Sequence, residues 1–164
     1  MKHIGIFAVL AALLLTTSCG LSARTPQEEQ QDAALVQQIL DSRSYEISID
    51  YMTPLRGPGR SVSGYYSIVI EGDTIQSCLP YFGQARSVPY GGGDGLNFKA
   101  DIQKYTDKGM KGDRRTIVIN VENEGDKLVY TLTVFDNGTT DVRVDCRNRD
   151  DISYRGTLRL TESE

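Results

Sequence analysis

The strongest constraint in this chain is a change of hydrophobic period. Up to Leu40 apolar residues recur at helical spacing, whereas from Tyr45 onward they fall at every second position in short runs separated by turn-forming residues. A period of two places alternate side chains on opposite faces of an extended strand, so each run buries one face only against other strands. The chain beyond Ser42 must therefore build a sheet.

The helical part opens on Thr25-Pro26-Gln27-Glu28, with threonine at the N-cap, proline at the first helical position and glutamate at the third. Ala33, Leu35, Val36, Ile39 and Leu40 then make one apolar stripe, which predicts an amphipathic helix over Pro26–Ser42 with a solvated polar face. Tyr45, Ile47, Ile49 and Tyr51 alternate with polar residues as the first strand, and a Gly/Pro/Ser loop carrying Arg56 and Arg60 follows. Tyr66–Ile70 and Thr74–Leu79 pair through Glu71-Gly72-Asp73. Leu96 and Phe98 mark a short strand, and the charged, glycine-containing stretch Asp101–Arg114 reads as a polar connection. Arg115–Asn123 and Leu128–Phe135 form a second hairpin. Asp136-Asn137-Gly138 predicts a type I′ turn into Thr140–Cys146. The last strand carries Ile152, Tyr154, Leu158 and Leu160, with Gly156 at an inward position where a neighbour excludes a side chain. The expected fold is mainly β: one N-terminal helix, then about eight antiparallel strands in a meander, forming a curved sheet with the helix on its concave face or an open barrel. A two-layer α+β arrangement is the alternative.

The first residues have the three parts of a secretory signal: Lys2, the apolar run Ile4–Leu15, and the small residues Thr16-Thr17-Ser18 before Cys19. The apolar run is shorter than the roughly 20 residues of a comfortable membrane span. The pattern resembles a bacterial lipoprotein signal, in which Cys19 is acylated. The expected organisation is a signal peptide at 1–18, a tether at 19–24 and a single β-rich domain at 25–164. Residues 20–24 reach at most about 17 Å when extended, which holds the domain close to the bilayer. No acidic run follows Cys19, and the expected location is the periplasmic face of a cell-envelope membrane.

Removing 18 residues from 164 leaves 146, enough for one core. Loss of Lys2 from 18 basic against 22 acidic residues leaves a formal charge of −5, and with no basic cluster a nucleic-acid partner is not expected. The single histidine, His3, lies within the signal. Histidine-based triads, histidine-bound zinc and a histidine pH switch are thereby excluded from the mature chain. Cys78 and Cys146 are a candidate disulfide, which persists in an oxidising compartment, or else two buried free thiols.

Gln76–Phe98, QSCLPYFGQARSVPYGGGDGLNF, is where the alternation breaks. Proline donates no amide hydrogen bond, so Pro80 belongs at a strand end, an edge or a bulge. In the structural reading Leu79, Tyr81 or Phe82 fills the core. In the functional reading Tyr81, Phe82, Arg86 and Tyr90 line a groove for a glycan, peptide or apolar ligand. Gly91-Gly92-Gly93-Asp94-Gly95 is no phosphate loop, since no Lys-Ser/Thr pair follows it, and Asp94 lacks the neighbouring donors of a calcium loop. Arg147, Arg149, Asp150 and Asp151 read as a solvated turn with weak surface ion pairs, with an anion site as the alternative. Asp50, Asp101 and Asp145 are carboxylates that no spacing pairs for acid–base work.

Leu79-Pro80-Tyr81-Phe82-Gly83 with Ala85, then Pro89-Tyr90, a glycine run and Asn97-Phe98, resembles a Bacteroidetes lipoprotein family built on a domain of unknown function, DUF4251. The Asn137-Gly138 hairpin and Asn148-Arg149 followed by Ile152-Ser153-Tyr154 and Gly156 belong to the same resemblance. It spans roughly Gln38–Leu160, and it implies no established activity and no functional residue. The functional expectation is a non-catalytic, lipid-anchored envelope module that binds or interacts with an envelope protein, glycan or small ligand, without cofactor or metal. A carrier of a small apolar or glycan ligand and a carboxylate-based hydrolase are the alternatives.

Overall fold

The structure, a computed structural model, describes residues 25–84 and 96–160. Helix α1 (Pro26–Ser42) starts on the capping box that its sequence predicts: the Glu28 amide donates to Thr25 Oγ1 at 3.3 Å, and the Thr25 amide donates to the Glu28 carboxylate at 2.8 Å. It ends at Arg43, whose φ of 53° turns the chain directly into the sheet.

Nine strands follow: β1 (Ser44–Pro54), β2 (Arg60–Ser61), β3 (Ser67–Glu71), β4 (Thr74–Leu79), β5 (Leu96–Lys111), β6 (Arg114–Asn123), β7 (Asp126–Phe135), β8 (Thr139–Cys146) and β9 (Ile152–Leu158). Each of β3 to β9 pairs antiparallel with its neighbour in sequence, as a meander should. The ends of the meander meet on β1, which pairs with β3 over Ser44–Ser48 and with β9 over Ile47–Pro54. The sheet is thus a closed eight-stranded barrel, neither an open barrel nor a two-layer sheet. The short β2 is an extra strand beside Tyr51 and Met52.

Closure depends on Gly156. Opposite Ile49, a Cβ at Gly156 would clash with the Ser48 carbonyl oxygen and lie 2.9 Å from the Ser48 carbonyl carbon and 3.0 Å from Ile49 Cδ1. Only a hydrogen on Cα lets β9 lie this close to β1. The β1–β9 register shifts between Ile49 and Tyr51, and such a bulge swaps the faces of the residues beyond it. Tyr51, expected inward, is consequently on the outside at 36% exposure, and Met52 takes its place in the core at 3%.

The inward residues form one apolar cluster that fills the barrel, with Ile47, Ile68, Ile75, Ile117, Ile119 and Leu132 fully buried. Val36 and Leu40 of α1 join it, so the helix closes one end. Arg43 reaches Asp73 in the β3–β4 turn, and Gln37 reaches Met110 near the β5–β6 turn. The main tie is Arg115, which donates to Gln37 Oε1 at 3.0 Å, Asp41 Oδ1 at 2.6 Å and the Asp107 carboxylate.

Two sequence expectations are corrected here. Asp101–Arg114 is not a connection: β5 runs to Lys111 and pairs with β6 as far as Lys111↔Arg114. Register shifts after Ile102 and Asp107 interrupt the alternation, and most side chains from Asp101 to Lys111 are exposed, so no apolar period marks the strand. Its backbone ladder holds it instead. The two-residue turn with successive positive φ angles is Glu124-Gly125, at 51° and 79°. Asp136-Asn137-Gly138 is a three-residue loop in which Gly138 supplies the positive φ of 80°.

Gly156→Ala is expected to destabilise the fold by about 1–3 kcal/mol or more through overpacking against backbone, read as a lower urea midpoint; an unchanged midpoint would show that β9 can move away from β1. The Asp107 carboxyl is held below its ordinary range, first by the hydrogen bonds from Arg115 and then by the Gly109 amide, against an opposing cost of burial. A depressed carboxyl stabilises the fold above its unfolded pKa of about 4, and that contribution disappears as pH falls through the lower folded value. Asp107→Asn should therefore be less stable than the parent at pH 7 and lose less stability between pH 5 and pH 3. Identical pH slopes in urea titrations would remove Asp107 from the acid response.

Candidate functional site

At the barrel end opposite α1, β4 stops where Pro80 begins, because proline cannot continue the ladder. Three contacts then fix the chain. The Tyr154 hydroxyl donates to the Pro80 carbonyl at 2.8 Å, and the Tyr81 hydroxyl donates to the Asp150 carbonyl at 3.0 Å. Gln84 and Asp150 exchange two bonds: the Asp150 amide donates to the Gln84 carbonyl at 3.0 Å, and the Gln84 amide donates to Asp150 Oδ2 at 3.2 Å. Burial pushes the Tyr81 phenol up to about 12, so it stays protonated and donates. Gly83 passes against Tyr81, and a Cβ there would lie 3.2 Å from Asp150 Cβ.

The β8–β9 segment that receives these bonds is anchored in turn by Asp126. Only 3% exposed, Asp126 accepts the Asn148 amide on Oδ1 at 3.0 Å and Arg149 Nε on Oδ2 at 2.9 Å. Arg149 also stands 5.3 Å from the Tyr81 ring centroid. A buried aspartate needs such compensation, since an ion removed from water costs several kcal/mol unless paired and hydrogen-bonded. Arg147 is exposed, but Asn148–Asp151 are half-buried or buried and hydrogen-bonded, not the solvated turn that their charge density predicts. Asp151 accepts the Cys146 amide at 3.0 Å and Arg143 at 3.2 Å.

The aromatics of the central stretch separate. Tyr81 is partly buried and Phe82 is 55% exposed, with the Arg60 guanidinium 4.5 Å from the Phe82 ring centroid. Beside it, Arg56 Nη1 donates to Gln84 Oε1 at 3.1 Å. A concavity of about 210 Å³ is lined by Arg56, Phe82, Gly83, Gln84 and Asp150. Gln84 belongs to the same stretch as Phe82, whereas Arg56 and Asp150 reach this site through tertiary structure; their sequence signals are a loop bearing two arginines and a charge cluster read as a solvated turn. Arg86, Tyr90 and Cys19 lie outside the described residues.

The candidate disulfide is corrected. Both thiols are free. Ile75, Ser77 and Leu79 point inward on β4, which places Cys78 on the outer face near the Tyr65 carbonyl, whereas Cys146 is inward with Val142 and Val144 on β8. Opposite faces of the wall cannot share a bridge. Burial, and then the charge of Asp126, push the Cys146 thiol up to about 12. Asp50, Asp101 and Asp145 lie on β1, β5 and β8, none of which neighbours another, and Asp145 is bound to Arg143 at 2.6 Å. Among the described residues no group of three or more metal-ligating side chains is found.

The profile of the family described as "Domain of unknown function (DUF4251)" matches residues 27–158. The chain belongs to the DUF4251 family. A DUF4251 family protein from Bacteroides eggerthii DSM 20697 has a similar structure, with a TM-score of 0.56 and 13% identity over 80% of this chain and 87% of that one. At that identity the likeness concerns the fold. Comparison with curated proteins gives no significant match.

In this DUF4251 domain a native thiol reagent at pH 8 is expected to modify Cys78 and leave Cys146 untouched until denaturant is added. Peptide mass mapping checks this. Failure to label either residue in denaturant without a reductant would restore the disulfide.

Proposed function

We propose that this DUF4251 domain is a non-catalytic, lipid-anchored binding module of the periplasmic envelope, with its ligand surface on the rim opposite α1. The observation that carries the reading is the exposed Phe82 ring, with Arg60 stacked on it and Arg56 beside it, on a segment fixed from below by Tyr154, Tyr81 and Asp150. An exposed aromatic on a pinned segment offers contact area without an ordering cost. The apolar filling of the barrel supports binding at the rim over carriage inside it. Separation of Asp50, Asp101 and Asp145 supports binding over hydrolysis. The proposed tether precedes α1, which closes the other end of the barrel, and this supports a rim left free of the anchored end.

The test has an anchor arm and a rim arm in the native bacterium. Cys19→Ala is expected to move the protein from the membrane to the soluble fraction, and unchanged fractionation refutes lipidation. A photo-reactive amino acid at position 82 should give a discrete cross-linked adduct that the same group at Thr131, on the outer wall, does not give. No adduct at 82, or equal adducts at both positions, would end the rim reading.

A further inference from the structure

We propose that the outer half of β5 is a docking edge for an extended acidic segment of another protein, which pairs with it as an added strand. Barrel closure joins the last strand to the first, yet β5 outruns its neighbour β4. The two pair from Leu79↔Leu96 to Thr74↔Asp101, and one further bond runs from the Ile102 amide to the Asp73 carbonyl. From there to Lys111, β5 pairs with β6 on one side, and among the described residues no strand pairs with it on the other.

In an antiparallel pair, alternate residues aim both backbone groups to the same side, so this flank leaves a row of amides and carbonyls without a ladder partner. Among the described residues, side chains satisfy the Gly109 amide alone, which donates to Asp107 Oδ1 at 2.8 Å. Contacts from the α1 end fall on side chains instead. Arg43 stands 4.3 Å from the Tyr105 ring centroid, and the Tyr45 and Tyr105 hydroxyls are 3.1 Å apart. Lys104↔Asn120 to Asp107↔Ile117 keeps unbroken register between two shifts, and a straight stretch of this length is enough to template a short strand.

The side chains select the partner. Residues 103–111 carry Lys104, Lys108 and Lys111, all exposed, and among the described residues the lysine that forms an ion pair is Lys99, with Glu71. The one carboxylate of the stretch, Asp107, is held by Arg115, and on β6 Glu122 accepts from Gln103 Nε2 at 3.4 Å. This flank is therefore positive in a chain whose formal charge is −4. A second copy laid antiparallel about Thr106 would set Lys104 opposite Lys108, and like charges directly opposite destabilise a strand pair. A strand bearing carboxylates gains opposite-charge pairs in the same place and is steered towards it. The edge lies at the α1 end of the barrel, separate from the Phe82 rim.

The full chain in detergent is followed by hydrogen–deuterium exchange with mass spectrometry at constant ionic strength. The probes are three synthetic peptides of equal length: alternating Glu-Thr, alternating Lys-Thr, and Glu-Thr with every second amide N-methylated. The Glu-Thr peptide is expected to slow the fast-exchanging amides of residues 103–107 by about fivefold or more, and the other two to leave them unchanged. The double variant Lys104→Glu, Lys108→Glu changes exposed positions, so it should keep the parent unfolding midpoint while its preference passes to the Lys-Thr peptide. No slowing by Glu-Thr, equal slowing by Lys-Thr, or an unchanged preference in the variant overturns the acidic partner. Equal slowing by the N-methylated peptide overturns strand addition. Slow exchange of the whole stretch in the free chain means that the edge is already covered, by a second copy if sedimentation shows a dimer, and overturns the proposal.

Discussion

The close approach of β9 to β1 at Gly156 is what the rest of this molecule depends on. Eight antiparallel strands can lie in an open curved sheet, but an open sheet presents two edges whose amides and carbonyls must find water or another chain. Pairing the last strand with the first removes both edges. It also creates one enclosed interior, which the alternating Ile, Val and Leu side chains then fill. Where β1 must serve two neighbours at once it carries a bulge, and the bulge sends Tyr51 outward and Met52 inward.

Closure leaves two ends to manage, and the chain treats them differently. One receives α1, with Val36 and Leu40 as an apolar plug and Arg115 holding three partners from the helix and β5. The other receives polar stitching: Tyr154 and Tyr81 hold the chain after Pro80, and Asp126 holds Asn148 and Arg149. An apolar plug needs only shape, whereas a polar end must satisfy each buried group, which fixes backbone positions more narrowly. The same bonds set exposed Phe82 on a segment tied at Tyr81 and Gln84 to buried Asp150.

Membership of the DUF4251 family and likeness to a solved family member place the fold, and neither carries an activity. Function rests on the site itself. At the rim the exposed Phe82 ring carries Arg60 and lies beside Arg56 and buried Asp150, while the carboxylates weighed for catalysis are distributed over separate strands.

The sequence by itself determined what local physics controls. Thr25, Pro26 and Glu28 set the helix start, the period-two runs set most strands, and Gly156 announced a close approach without saying to what. It missed the outer part of β5 because a strand with polar side chains on both faces has no hydrophobic period, only a backbone ladder. Closure, the faces of Cys78 and Cys146, and the bonds to Asp126 were decided by the tertiary structure. Each depends on which strands meet and in what register, and a one-residue bulge reverses every face beyond it. The rim is of the same kind: Arg56, Phe82 and Asp150 come from three distant segments, and only the stitching around Pro80 brings them to one place.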